Sequence, residues 1–69
     1  MTTTNNRVVL FRAEKHGTHR WQLGQINGRY CWWSHTTGQD ANYKYVDTYE
    51  ELLKLVEWFE SKGFDVVEA

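Results

Sequence analysis

The sequence predicts an α+β domain in which one helix packs across one face of a small antiparallel sheet. Three observations predict this class: strand-like stretches dominate the first two thirds of the chain, an Asn27-Gly28 pair separates two of them, and one capped amphipathic segment follows. We expect residues 1–6 to form a flexible terminus and residues 7–69 a single domain. The sheet should have three to four strands, with a candidate short fifth strand at its C-terminal end.

The strands are predicted from composition and alternation. The first is rich in β-branched and aromatic residues, and the second and third alternate on either side of Asn27-Gly28, the strongest short hairpin signal. A loop over 36–42 should precede a short fourth strand. The predicted strands cover 7–15, 19–26, 29–35 and 43–46.

The helix is predicted over 48–62. Asp47 and Thr48 are both good N-cap residues, and Thr48 and Glu51 have the spacing of a capping box. No helix breaker occurs before Gly63, which is placed as a left-handed C-cap would be. The following FDVVE segment has strand composition and would form the fifth strand.

The hairpin assigns each tryptophan of the Trp32-Trp33 pair to a face. A two-residue turn at Asn27-Gly28 pairs Ile26 with Arg29, and residues directly opposite one another share a face. The more apolar face, which should carry the helix, contains Trp21, Leu23, Gln25, Tyr30, Trp32 and Ser34. Trp32 is therefore predicted inside, and Trp33 on the opposite face.

The face with Trp33 is a candidate surface for single-stranded nucleic acid or nucleotides. Trp33 lies there with Gln22 across from it, and Arg20, Arg29 and His35 surround this pair. Sheets that bind single strands combine stacking aromatic side chains with a basic rim. The opposing interpretation is structural, because the neighbouring strands could cover the indole with their own side chains.

The helix presents a second candidate surface, for another protein. At 100° per residue, Trp58 falls far from the apolar stripe, among Glu50, Glu51, Lys54 and Glu57. A tryptophan on the solvent side of a helix leaves a large apolar area exposed, which a partner could bury. The alternative is that the C-terminal tail folds back over Trp58.

The charge is divided along the chain, although the net charge is only −1. Residues 1–46 carry six Lys or Arg against two acidic residues, a balance of +4, and residues 47–69 carry two against seven, a balance of −5. One interpretation of this division is a basic sheet surface and an acidic helix surface that face different partners. The preference of helices for Glu is the simpler explanation.

The sequence gives little support for catalysis, for a metal site or for a membrane span. Cys31 and His35 share a face but are separated by roughly 13 Å along a strand, too far for one ion or a nucleophile pair. His16 and His19 alone do not make a zinc site. We therefore expect no enzyme activity, cofactor or metal. A single cysteine, no apolar run of about 20 residues and a polar N-terminus predict a cytoplasmic protein.

These observations rank a non-enzymatic protein-binding module first, because the whole chain is slightly acidic. The acidic helix surface or the aromatic surface would then occlude a partner, as expected of a small accessory or inhibitor protein such as phages and mobile elements encode. Nucleic-acid or nucleotide binding by the sheet face is the alternative. A homodimer through an unpaired edge, RVVLFRA or FDVVE, is a third hypothesis.

Overall fold

The computed structural model describes residues 6–17, 19–36 and 39–69, without the side chains of residues 39 and 40. Five strands and one helix follow in the order β1 (Arg7–Lys15), β2 (His19–Ile26), β3 (Arg29–Thr36), β4 (Gln39–Tyr45), α1 (Tyr49–Ser61) and β5 (Asp65–Glu68). The sheet is antiparallel with the strand order β4-β3-β2-β1-β5. The predicted α+β class is confirmed, including the fifth strand.

The hairpin between β2 and β3 has the predicted register. Asn27 and Gly28 both have positive φ angles, 53° and 83°, as a tight hairpin turn requires, and Ile26 pairs with Arg29. The predicted flexible terminus lies outside the described residues except for Asn6. The Asn6 amide donates to Asn27 Oδ1, and the Asn27 amide donates to the Asn6 carbonyl.

The fourth strand is longer than predicted. It was expected over 43–46, after a loop over 36–42, but β4 begins at Gln39 and ends at Tyr45. The pairing of β4 with β3 shifts between Trp32 and Ser34. Asn42 lies at this irregularity with φ 58°, a conformation that asparagine tolerates better than most residues. Because of this irregular pairing, β4 lacks the regular alternation from which a strand is predicted.

Both ends of α1 are capped as the sequence predicts. The Thr48 hydroxyl accepts a hydrogen bond from the Glu51 amide at 3.2 Å. At the other end, Gly63 has φ 91° and donates to Glu60, and Phe64 donates to the Phe59 carbonyl at 3.0 Å, which together form a Schellman motif. The hydrophobic contact that accompanies this motif is made by Phe59 and Phe64, whose ring centroids are 5.0 Å apart.

The main core lies between the sheet and α1. Its fully buried members are Ala13 from β1, Leu23 from β2, and Leu52 and Phe59 from α1. Trp21 and Trp32 pack around Phe59, with ring centroids 5.9 and 5.6 Å away. The predicted face assignment is therefore confirmed, because the side of the hairpin with Trp32 carries the helix.

A second, smaller core lies on the side of the sheet away from α1. We call this side of the sheet the open face. Its buried members are Ile26, Cys31 and Trp33, with Val9 packed against them. Apolar packing on both sides of the sheet lets a 69-residue chain bury more side chains than one layer would.

Candidate functional site

Trp33 is on the predicted face but is fully buried, with 0% of its surface exposed. Its indole N–H donates to Gln22 Oε1 at 3.0 Å. Arg7 reaches across from β1, so that its guanidinium lies 5.2 Å from the Trp33 ring centroid and donates to the Tyr43 hydroxyl. The ring of Tyr43 lies 6.3 Å away on the β4 side. Strands β1 and β4 thus cover the indole, and Trp33 has no free surface on which a base could stack.

The rest of the predicted nucleic-acid site divides into two places. Arg29 lies at the hairpin end, stacked 4.2 Å above the Tyr45 ring. Arg20, Gln22 and His35 lie near the other end of the open face, where they line one shallow pocket. The structure therefore does not bring the five predicted residues around one exposed ring.

All four arginines of the chain lie on the open face. In the pairing of β1 with β2, Arg7 lies opposite Ile26, Arg12 opposite Gln22 and Arg20 opposite Glu14. In the pairing of β2 with β3, Arg29 lies opposite Ile26. The sequence did not predict four further residues of this face: Arg7, Arg12, Tyr43 and Tyr45. The alternation of β1 gave no reliable signal for the two arginines, because a register shift between Val9 and Phe11 changes which side chains share a face.

Trp58 is exposed on the helix as predicted, with 48% of its surface accessible. The C-terminal tail does not cover it, because that segment forms β5 beside β1. The ring centroids of Trp58 and Phe59 are 5.2 Å apart, in a T-shaped arrangement. This contact holds the ring against the core while its outer surface faces solvent.

The charged neighbours of Trp58 differ from a purely acidic rim. Lys54 lies one helical turn before it on the same side, and Lys62 Nζ lies 5.7 Å from the ring centroid. Glu51 is two turns before it, and Glu57 projects about 100° away around the helix. All five residues predicted for the protein-binding surface are exposed: Glu50, Glu51, Lys54, Glu57 and Trp58. Trp58 is therefore an apolar centre between two lysines, with carboxylates beyond them.

One side chain in the core of the open face, Cys31, has a shifted pKa. Desolvation in the open-face core raises the pKa of the Cys31 thiol, and a backbone hydrogen bond from Lys44 and the positive charges of Arg29 and Arg7 offset only part of that effect. Among the described residues, no group of three His, Cys, Asp or Glu side chains could hold a metal ion. In the same part of the chain, no helix is long and apolar enough to cross a bilayer.

Comparison with models of protein families, with curated proteins and with solved structures gives no match to this chain.

Proposed function

We propose that this protein is a small non-enzymatic binding module that docks onto another protein through the surface of α1 around Trp58. The observation that carries the proposal is the half-exposed indole, whose ring packs against Phe59 of the main core. Tryptophan is the residue type most enriched among those that dominate interface energies. The rival site on the sheet loses its stacking ring, because Trp33 is buried.

The exposed half of the Trp58 side chain is large enough to matter for affinity. A tryptophan presents about 200 Å² of surface, so burial of the remaining half by a partner would contribute about 2.5 kcal/mol. Its contact with Phe59 restricts the ring before binding, which lowers the entropy cost of docking.

The charges around α1 favour a partner with a basic surface. From residue 47 to residue 62 the chain carries five acidic side chains against Lys54 and Lys62, a balance of −3. Opposite charges at the rim of an interface raise the association rate and help to orient the partner. Occlusion of a basic site on that partner is the action we propose. We place it in the cytoplasm, since Cys31 is an unpaired thiol.

The test compares two helix variants that expose similar chemistry. Trp58→Ala should remove about 2 kcal/mol or more of affinity for the partner protein, whereas Leu53→Ala should change it little. Leu53 is the matched control, because it is 38% exposed and lies on the other flank of α1. Affinity would be measured by calorimetry for a protein that the parent chain retains from the source cell and the Trp58→Ala variant does not.

The variants must also keep their fold. Both side chains are only partly exposed, so we expect both variants to stay folded, with Trp58→Ala melting somewhat lower because it loses the contact with Phe59. Equal retention of the same proteins by the parent and by the Trp58→Ala variant would refute the proposed surface.

A further inference from the structure

A shallow pocket of about 240 Å³ lies on the open face near the turn between β1 and β2. No part of the proposed protein-binding surface contributes to it. Two arginines, a glutamine and a histidine form most of its polar wall, and one carboxylate joins them. The lining residues are Arg12, Glu14, Arg20, Trp21, Gln22 and His35.

Most of the polar groups in this pocket are hydrogen-bond donors suited to an anion. Arg12 and Arg20 are exposed, and within the part of the chain that the structure describes neither guanidinium group has a hydrogen bond or an ion pair. Planar guanidinium groups bind phosphate oxygens in pairs, with more directional contacts than an ammonium group provides.

Gln22 is oriented by the buried tryptophan. Because its Oε1 accepts the indole N–H of Trp33, the amide of Gln22 is held with Nε2, its donor atom, away from the indole. Trp33 therefore acts on the pocket as a positioning residue and not as a stacking platform. A half-buried donor of fixed orientation beside two arginines increases the preference for a negative ligand.

Exposed aromatic rings share the open face with the pocket. Tyr43 and Tyr45 are 42% and 48% exposed. Tyr45 pairs with Cys31, which is four residues along β3 from His35, or about 13 Å. Such a separation suits an extended chain that places a phosphate in the pocket and bases against the tyrosine rings. An acidic peptide would satisfy the arginines but would leave the rings without a matching partner.

We propose that the open face binds a short single-stranded nucleic acid, with a backbone phosphate held by Arg12, Arg20 and Gln22 and with bases stacked on Tyr43 and Tyr45. Arg29 lies over one face of the Tyr45 ring, and Arg7 lies near Tyr43, so each tyrosine is restrained and a base would stack on the part of each ring that remains exposed. Glu14 in the pocket and Asp65 beside it on the sheet oppose an anion, which keeps the affinity modest.

Fluorescence anisotropy with a labelled mixed-sequence single-stranded oligonucleotide, at about 50 mM salt, tests the site. Arg12→Gln and Arg20→Gln should each weaken binding about tenfold and lower the salt slope by about one. Glu14→Gln should strengthen binding severalfold, because it removes the opposing carboxylate. Tyr45→Ala should weaken binding at least fivefold with the salt slope unchanged, since stacking releases no counterions.

Lys54→Gln is the matched control, because it removes one positive charge from the opposite side of the molecule. It should leave oligonucleotide binding almost unchanged, as should Trp58→Ala. The melting temperature of each variant should stay near that of the parent, since all the changed side chains are exposed.

Three outcomes would overturn the inference. The first is no binding of the parent chain at low salt. The second is an equal loss of binding for Lys54→Gln and Arg20→Gln, which would indicate diffuse electrostatics. The third is equal affinity for an acidic peptide of the same charge together with no effect of Tyr45→Ala, which would assign the face to polypeptides.

Discussion

Trp32 and Trp33 are neighbours in the chain but belong to different cores. Trp32 is half-buried beside Trp21, with ring centroids 4.9 Å apart, and Trp33 is fully buried on the other side of the sheet. Face assignment from alternation was therefore correct, while exposure could not be deduced from it. Whether a side chain on the far face is covered depends on neighbours in β1 and β4 that are distant in sequence.

Both tryptophans should therefore be needed for stability. We predict that Trp33→Ala lowers the free energy of unfolding by about 3–5 kcal/mol, at least as much as Trp32→Ala, because it empties the centre of the open-face core. Urea titration followed by circular dichroism would measure both. Trp33→Phe is the control, since it keeps an aromatic ring but loses the hydrogen bond to Gln22. A Trp33→Ala variant as stable as the parent would contradict the assigned core.

Cys31 should be protected by the same core. Its side chain is fully buried, and burial raises the pKa of the thiol. We predict that a thiol reagent reacts with Cys31 only in denaturant and not with the native protein at mildly alkaline pH. Because the folded state holds the neutral thiol, this group's contribution to stability should be lost as the pH rises above the ordinary thiol pKa. Rapid labelling of the native protein would show instead that the open-face core opens readily.

At the scale of single elements, β1 is the part that sequence analysis could predict least. Strict alternation would place Arg7 and Arg12 on opposite faces, since they are five residues apart. The register shift between Val9 and Phe11 brings both arginines to the open face and turns Leu10 toward the main core. Composition predicts a strand, but nothing in it marks the bulge. The hairpin and helix, whose turn and caps have local signatures, were predicted nearly to the residue.

Gly24 offers a test of that bulge. A Cβ on Gly24 would approach the Val8 carbonyl oxygen far inside contact distance, so the backbones of β1 and β2 would have to separate. We predict that Gly24→Ala lowers the melting temperature much more than Gly17→Ala does. Gly17 is the matched control, because its Cβ would meet nothing within 4 Å and only its φ of +70° costs about 1–2 kcal/mol. Equal melting temperatures would mean that the strands do not approach so closely.

The N-terminal end of α1 should depend on one hydroxyl. Thr48 Oγ1 accepts from the Glu51 amide, so Thr48→Ala should cost about 1 kcal/mol of stability. Asp47→Ala alone should cost much less, because none of the described residues makes a hydrogen bond to the Asp47 side chain. Denaturation of both single variants and the double variant would measure this. If the double variant loses much more unfolding free energy than the two single variants lose together, Asp47 substitutes for the missing threonine.

Across the whole molecule, the two sides carry different chemistry. The four arginines lie on the open face, and the carboxylates of α1 lie on the other side of the sheet. The division of charge along the sequence thus becomes a division in space. A nearly neutral chain can in this way present a basic surface and an acidic one, which a net charge of −1 does not reveal.

The edges of the sheet decide whether copies of the chain can pair. The sequence predicts RVVLFRA as one of two candidate unpaired edges, but this is wrong, because β1 pairs with both β2 and β5. The edges of the described sheet are β4 and β5. Strand β5 has only four residues and begins and ends with an acid, and β4 is interrupted at Asn42. Short, charged and irregular edges are those that resist pairing.

We therefore predict a monomer over a wide range of protein concentration. Light scattering coupled to gel filtration should give a mass near the 8.3 kDa of the single chain at both ends of that range. If a dimer appears, Val67→Lys on β5 and Tyr43→Lys on β4 would show which edge forms it, because a lysine at the pairing edge should dissociate it. A dimer that neither lysine dissociates would mean that the contact is made by a face of the molecule, with the exposed surface of Trp58 the first to examine.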